Sequence, residues 1–234
     1  MKTEITLTCP RCQGQNIKKN GYSGNRKQKY FCKDFCRNFI GDHNLTYKGC
    51  HSKADEQVWR MTVRGCGIRD IAAITGYSKD KVQAALKRHE FEPFPKQKHY
   101  STLEIDEFWT FVGNKSNKVW LVYAYHRESG EIVAYVWGKR DLATARALKW
   151  RLKELRVTYD RMATDDWAAF LNVFSNEEWH LVGKQHIVGI EGNNCRLRHK
   201  VRRAFRKTCC FSKSMFYHKK VFDLAFFDIH FGIV

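Results

Sequence analysis

Leu103-Glu104-Ile105-Asp106-Glu107-Phe108-Trp109 alternates apolar and acidic residues with period two, the signature of a half-buried strand. It lies in the first of three apolar, aromatic-rich runs, 102–112, 118–127 and 131–137, the last two joined by the hairpin turn Glu128-Ser129-Gly130. The period then changes. Leu142, Ala145, Leu148, Leu152 and Leu155 share one face of a helix predicted over Asp141 to Arg156. Tyr159 to Thr164 reads as a fourth strand, Trp167-Ala168-Ala169-Phe170 as a helix start, and His180-Leu181-Val182-Gly183 as a fifth strand. From Ile187 a long helix is expected. At about 100° per residue, Ile187, Ile190, Leu197, Val201, Ala204 and Phe205 form its apolar stripe, and Glu191, Arg198 and Arg202 line the edge of that stripe.

The region before the strands is helical in period. Val58, Met61 and Thr62 mark a first helix, broken at Gly65-Cys66-Gly67, and Ile68, Ile71, Ala72 and Thr75 mark a second. After the turn Gly76-Tyr77-Ser78, with Ser78 as N-cap, a third helix runs from Lys79 to Arg88 with Val82, Ala85 and Leu86 inward. Lys79, Gln83 and Lys87 line its outer face. Helix, Gly-bearing turn and basic helix make a helix-turn-helix, in which Gln can pair with adenine and Lys with guanine or phosphate. Glu92-Pro93-Phe94-Pro95-Lys96 reads as a linker.

Cysteines add a third module. Cys9-Pro10-Arg11-Cys12 and Cys32-Lys33-Asp34-Phe35-Cys36 flank turn signals and a short strand, the layout of a zinc ribbon in which four thiolates close a tetrahedral Zn²⁺ site. His43, Cys50 and His51 are alternative ligands. The expected organisation is a zinc ribbon over 1–48, a helix-turn-helix and linker over 49–95, and an α/β domain over 96–234. Three hairpin-linked strands, a helix, and then further strand and helix form the ribonuclease-H-like order. That order sets the first and fourth strands side by side and brings Asp106 towards Asp165. Glu191 would face both across the sheet end, giving a carboxylate site for Mg²⁺. Asp166 is a rival to Asp165.

Charge narrows the partner class. Lys and Arg number 42 against 24 Asp and Glu, a net charge of +18 that calls for a polyanion. No run reaches the roughly 18 apolar residues of a membrane helix, and the N-terminus lacks the apolar core of a signal peptide. Nine cysteines, an odd number that clusters as short pairs near the N-terminus, suit metal binding in a reducing compartment better than disulfides. A cytoplasmic, nucleoid-associated protein is expected, with no membrane partner.

Cys9-Pro10-Arg11-Cys12, the helix-turn-helix, Asp106-Glu107-Phe108-Trp109, Thr164-Asp165-Asp166-Trp167, Ile190-Glu191 and Phe211-Ser212-Lys213-Ser214 together resemble the transposases of the founding insertion-sequence family of bacterial mobile elements. The resemblance runs over nearly the whole chain. It implies a DDE transposase in which the zinc ribbon and helix-turn-helix bind terminal inverted repeats of double-stranded DNA. The ribonuclease-H-like domain would then cut and join strands with Mg²⁺ (or Mn²⁺) held by Asp106, Asp165 and Glu191. A homo-oligomer on inverted-repeat and target DNA is implied, with Arg198 and Arg202 as phosphate clamps. The second cysteine pair is one residue wider than the family pattern, and Asp166 stands where that pattern has Gly. The same three acids would also serve a ribonuclease-H-like nuclease or resolvase. A non-catalytic DNA-binding regulator derived from a transposase is a further alternative.

Overall fold

The computed structural model describes residues 7–24, 26–40, 53–175, 179–205 and 210–232. His43, Cys50 and His51 lie outside the described residues. The chain divides into two compact units, 1–52 and 53–234.

In the first unit, β1 (Ile17–Tyr22), β2 (Gln28–Cys32) and β3 (Arg37–Ile40) form an antiparallel sheet in that order. Tyr30 and Phe39 stack across β2 and β3. With so few apolar residues, this sheet has little core of its own.

The second unit begins with α1 (Ala54–Val63), α2 (Ile68–Thr75) and α3 (Lys79–Arg88). Gly65 at φ +87° and Gly76 at φ +70° occupy the left-handed region that ends α1 and α2. Ser78 caps α3 as its sequence position predicts, its Oγ accepting from the Lys81 amide at 3.2 Å. Strands β4 (His99–Phe111), β5 (Lys118–His126) and β6 (Glu131–Gly138) follow as antiparallel neighbours. Next come α4 (Leu142–Glu154), β7 (Thr158–Thr164), α5 (Ala168–Phe174), β8 (His180–Val182), α6 (Val188–Lys200) and α7 (Met215–Phe231). The strand order is β6-β5-β4-β7-β8, with β7 parallel to β4 and β8 parallel to β7. This is the ribonuclease-H-like topology that the element order predicts.

Strand alternation sorts the core into two layers. Leu103, Ile105, Val122 and Ala124 face α4 and α5, together with Leu148, Leu152 and Phe170. Phe108, Leu121 and Tyr123 face α6 and α7, together with Ile190, Leu197 and Phe222. The second layer continues through α7 into Val58, Ile71, Val82, Ala85 and Leu86, so the three N-terminal helices share one core with the sheet. Phe91 packs edge-on against Phe227 at 5.3 Å between centroids, and Lys220 donates to the His89 carbonyl at 3.1 Å. Among the described residues, no helix is long and apolar enough to cross a membrane.

Two features depart from the sequence reading. The long helix expected to run beyond residue 200 stops at Lys200. Val201 leaves helical geometry at φ −112°, ψ 84°, and Arg202–Ala204 form a short 3₁₀ turn. Arg202 therefore does not continue the line of Glu191 and Arg198. The terminal helix α7 had no counterpart in that reading: it is apolar on most of its circumference, because it is wedged between the sheet and the N-terminal helices.

Candidate functional site

Parallel pairing of β4 with β7 ends at Ile105 opposite Thr164, so Asp106 and Asp165 are the next residues on adjacent strands. Their carboxylates meet. With Glu107 they form a group whose ligand oxygens all lie within 4.8 Å of one another. Asp165 Oδ1 accepts from the Trp167 amide at 3.1 Å, which turns the side chain as the strand gives way to α5. Asp166 is exposed and lies outside the group.

A hydrogen-bonded relay holds Asp106. Its Oδ1 accepts from the Glu107 amide at 2.8 Å and its Oδ2 from Asn194 Nδ2 at 2.8 Å. The Asn194 Oδ1 accepts from the fully buried Tyr123 hydroxyl at 2.8 Å, and that hydroxyl accepts from Asn193 Nδ2 at 3.3 Å. A flipped Asn194 amide would set its oxygen against the Asp106 carboxylate, acceptor to acceptor. The relay therefore fixes the amide as well as the acid. Burial pushes the Asp106 carboxyl up to about 7, with the neighbouring charges of Glu107 and Asp165 adding to the shift. Burial likewise raises Glu107.

Helix α6 is docked by another acid. Buried Glu104, two residues before Asp106 on the same face of β4, accepts from the Ile190 amide at 2.6 Å in the first turn of the helix. A Cβ at Gly189 would meet both Glu104 carboxylate oxygens within 2.9 Å, so glycine admits this approach. Glu191 is exposed, one helical turn before Asn194, and outside the group of three carboxylates. Sequence periodicity singled out Glu191 on this helix, yet Asn194 is the residue hydrogen-bonded to Asp106. The cluster Asn193-Asn194 carried a signal, since adjacent amides in a helix interior disfavour helix unless they bond to something specific.

The basic candidates fall in different places. Arg198 turns inward: Nη1 donates to the Ala204 carbonyl at 3.0 Å and the guanidinium lies 4.2 Å from the Phe108 ring centre. Arg202 is exposed on the 3₁₀ turn. Lys79 and Lys87 are exposed and Gln83 is half-buried on α3.

In the first unit, Cys9, Cys12 and Cys32 form a second group of potential ligands, with the Cys12 and Cys32 sulfurs 3.5 Å apart. That is near the roughly 3.8 Å edge of a tetrahedron with Zn–S of about 2.3 Å. Backbone N–H groups of Cys12 and Arg11 bring the Cys9 thiol down to about 7. Cys36 is outside this group. In the first cysteine turn the left-handed residue is Gln13 (φ 58°), just after Cys12; in the second it is Cys36 itself (φ 51°). Phe35 thus holds the position equivalent to Cys12, its amide donating to Cys32 Sγ at 3.4 Å, while Cys36 Sγ lies 3.5 Å from the Lys33 carbonyl. The extra residue in the wider pair moves the fourth thiol off the common centre.

The family described as IS1 transposase matches residues 101–231. The insertion element iso-IS1n protein InsB of Shigella dysenteriae is 39% identical over 118 residues, covering 50% of this chain and 88% of that protein. The insertion element IS1 2 protein InsB of Escherichia coli K12 is 34% identical over 149 residues, 57% of this chain and 86% of that protein. Among solved structures, a chain of the simian T-cell lymphotropic virus intasome in complex with PP2A regulatory subunit B56 gamma aligns with a TM-score of 0.40 and 12% identity. The alignment covers 72% of this chain and 67% of that one, a likeness too remote to bear on fold or function. On the family match and the relatives together, the chain belongs to the IS1 transposase family.

Proposed function

We propose that this transposase binds the terminal inverted repeats of its element as a homo-oligomer, frees the 3′ ends, and joins them to target DNA by in-line transesterification. The observation that carries this reading is the meeting of Asp106, within β4 where its pairing with β7 ends, and Asp165, just past the end of β7, in a chain of this family. Oxygen-only donors suit a hard divalent cation, so Asp106 and Asp165, with Glu191 from α6, are assigned to hold Mg²⁺ or Mn²⁺. Bound there, the cation would polarise a phosphate oxygen and lower the pKa of an attacking water or hydroxyl. Asn194 and Tyr123 keep Asp106 aimed at Asp165, and the proton that burial favours on Asp106 must leave when a cation binds. Lys79, Gln83 and Lys87 are assigned to the repeats and Arg202 to phosphate. Arg198, already bonded to the Ala204 carbonyl, is assigned to holding the segment after α6.

Cys9, Cys12 and Cys32 are assigned three thiolates of a structural Zn²⁺ site. Cys36 would supply the fourth if its turn shifted by one residue. The deciding experiment gives the full chain a pre-cut inverted-repeat end with Mg²⁺ or Mn²⁺. Joined strands are expected. Hydrolysis without joining would favour a nuclease or resolvase, and binding with neither reaction a regulator.

A further inference from the structure

The carboxylate group has a third member that period-two alternation assigns to the other face of the sheet. Glu107 follows Asp106 on β4, and its side chain is only 8% exposed. Arg140, just before α4, donates to it through Nε at 2.6 Å and Nη2 at 2.5 Å, both to the same oxygen, Oε1. The Arg140 guanidinium lies over the rings of Trp120 and Trp167, 5.5 and 4.8 Å from their centres, which fixes it on that side. Glu107 Oε2 is left buried with no hydrogen-bond partner. A buried carboxylate oxygen without a donor is costly, and here the carboxylate that carries it belongs to a group that offers one ligand oxygen per residue within 4.8 Å of one another. Three ionised carboxylates and one guanidinium leave a net charge of −2, the complement of one divalent cation.

We infer that Glu107, through Oε2, is a ligand of the divalent cation in the DNA-free chain together with Asp106 and Asp165, with Arg140 clamping the opposite oxygen. The inference deepens the metal-dependent reading above and rests on it. Glu191, outside the group in the free chain, is then left to join when DNA is bound.

The test is Mn²⁺ binding by the full chain without DNA, followed by calorimetry and by the electron paramagnetic resonance of free Mn²⁺. Glu107→Gln is expected to weaken binding at least tenfold, and Glu191→Gln less than threefold. Arg140→Gln separates ligation from scaffolding, because it removes the ion pair but keeps the carboxylate. It should bind Mn²⁺ as tightly as the native chain or tighter. Native-like affinity in Glu107→Gln would overturn the inference, as would equal losses in Glu107→Gln and Arg140→Gln. The metal-dependent reading has a separate readout, strand joining of the pre-cut end. If joining requires Mg²⁺ while Glu107→Gln binds Mn²⁺ normally, only the ligand assignment fails.

Discussion

The two ligand groups of this protein are built in opposite ways. The thiols come from two short turns, and the described residues of the first unit bury little besides Cys9 and Cys32. The carboxylates come from strands far apart in sequence, placed by a sheet with full cores on both faces. On the proposed zinc site, the first group would need its ion to give the surrounding unit a reason to fold. The second is assembled by the fold, at the cost of crowding like charges in a half-buried site. One centre should stabilise its unit through the metal, and the other should be relieved by it.

The largest expected effect tests the first half of that contrast. Removing zinc with a chelator, or Cys32→Ser, should unfold residues 7–40 while residues 53–232 keep their structure; zinc in such small sites supplies on the order of 10 kcal/mol. Hydrogen exchange read separately over the two units measures this. Cys36→Ser should lower zinc affinity less than Cys32→Ser, and equal losses would mean that the second turn shifts to recruit Cys36. Uniform protection after chelation would erase the contrast altogether.

The second effect is catalytic. Asp165→Asn should reduce joining of a pre-cut end by roughly 10³-fold or more, about 4 kcal/mol of transition-state stabilisation, with repeat binding unchanged. Asp166→Asn should stay within a few-fold of native activity, because that side chain is exposed and outside the group. Swapped phenotypes would show that the strand end is shifted by one residue.

The third effect is on stability. Asp106 holds its proton up to about 7 in the folded chain, against an ordinary value of 3.8. Between those values the folded state binds more protons than the unfolded one, so this group's contribution to stability falls as pH rises through the window. Asp106→Asn should therefore stabilise the metal-free protein by on the order of 2–4 kcal/mol at pH 8 and by little near pH 4. Urea unfolding with a chelator present, across that range, gives the difference. A variant less stable than native at pH 8 would mean that the site is not strained without its cation.

The smallest effect isolates the relay. Tyr123→Phe removes the hydroxyl between Asn194 and Asn193 and should cost about 1–2 kcal/mol of stability, with zinc content unchanged. Altered zinc content would mean that the two centres are not independent.

How much of this could be read from the chain follows the same division. Local patterns gave the three N-terminal helices, the Ser78 cap, the strands and the pairing of Asp106 with Asp165, because each rests on periodicity or on the standard order of a mixed sheet. Glu107 was hidden by that same periodicity, since alternation assigns it to the face opposite Asp106. Its carboxylate nevertheless groups with those of Asp106 and Asp165, with ligand oxygens within 4.8 Å of one another. Asn194 was overshadowed by its charged neighbours, and which side chain of α6 reaches Asp106 depends on the Glu104 dock at the start of the helix. Helix α7 has no amphipathic stripe because it is covered on several sides. Cys36 turned on a single backbone dihedral.

That last helix also has a consequence for how DNA would be measured. Because α7 joins the core of α1 to α3 to the core under the carboxylates, the helix proposed to read DNA and the centre proposed to cut it would be parts of one solid object rather than beads on a string. A tool of that kind acts as a ruler. On the proposed function, the spacing between the base pairs read and the phosphate cut would be set by protein geometry, so one base pair inserted between them would displace the target by about 3.4 Å and rotate it by roughly a tenth of a turn. The tool would miss its mark, where a jointed one would compensate.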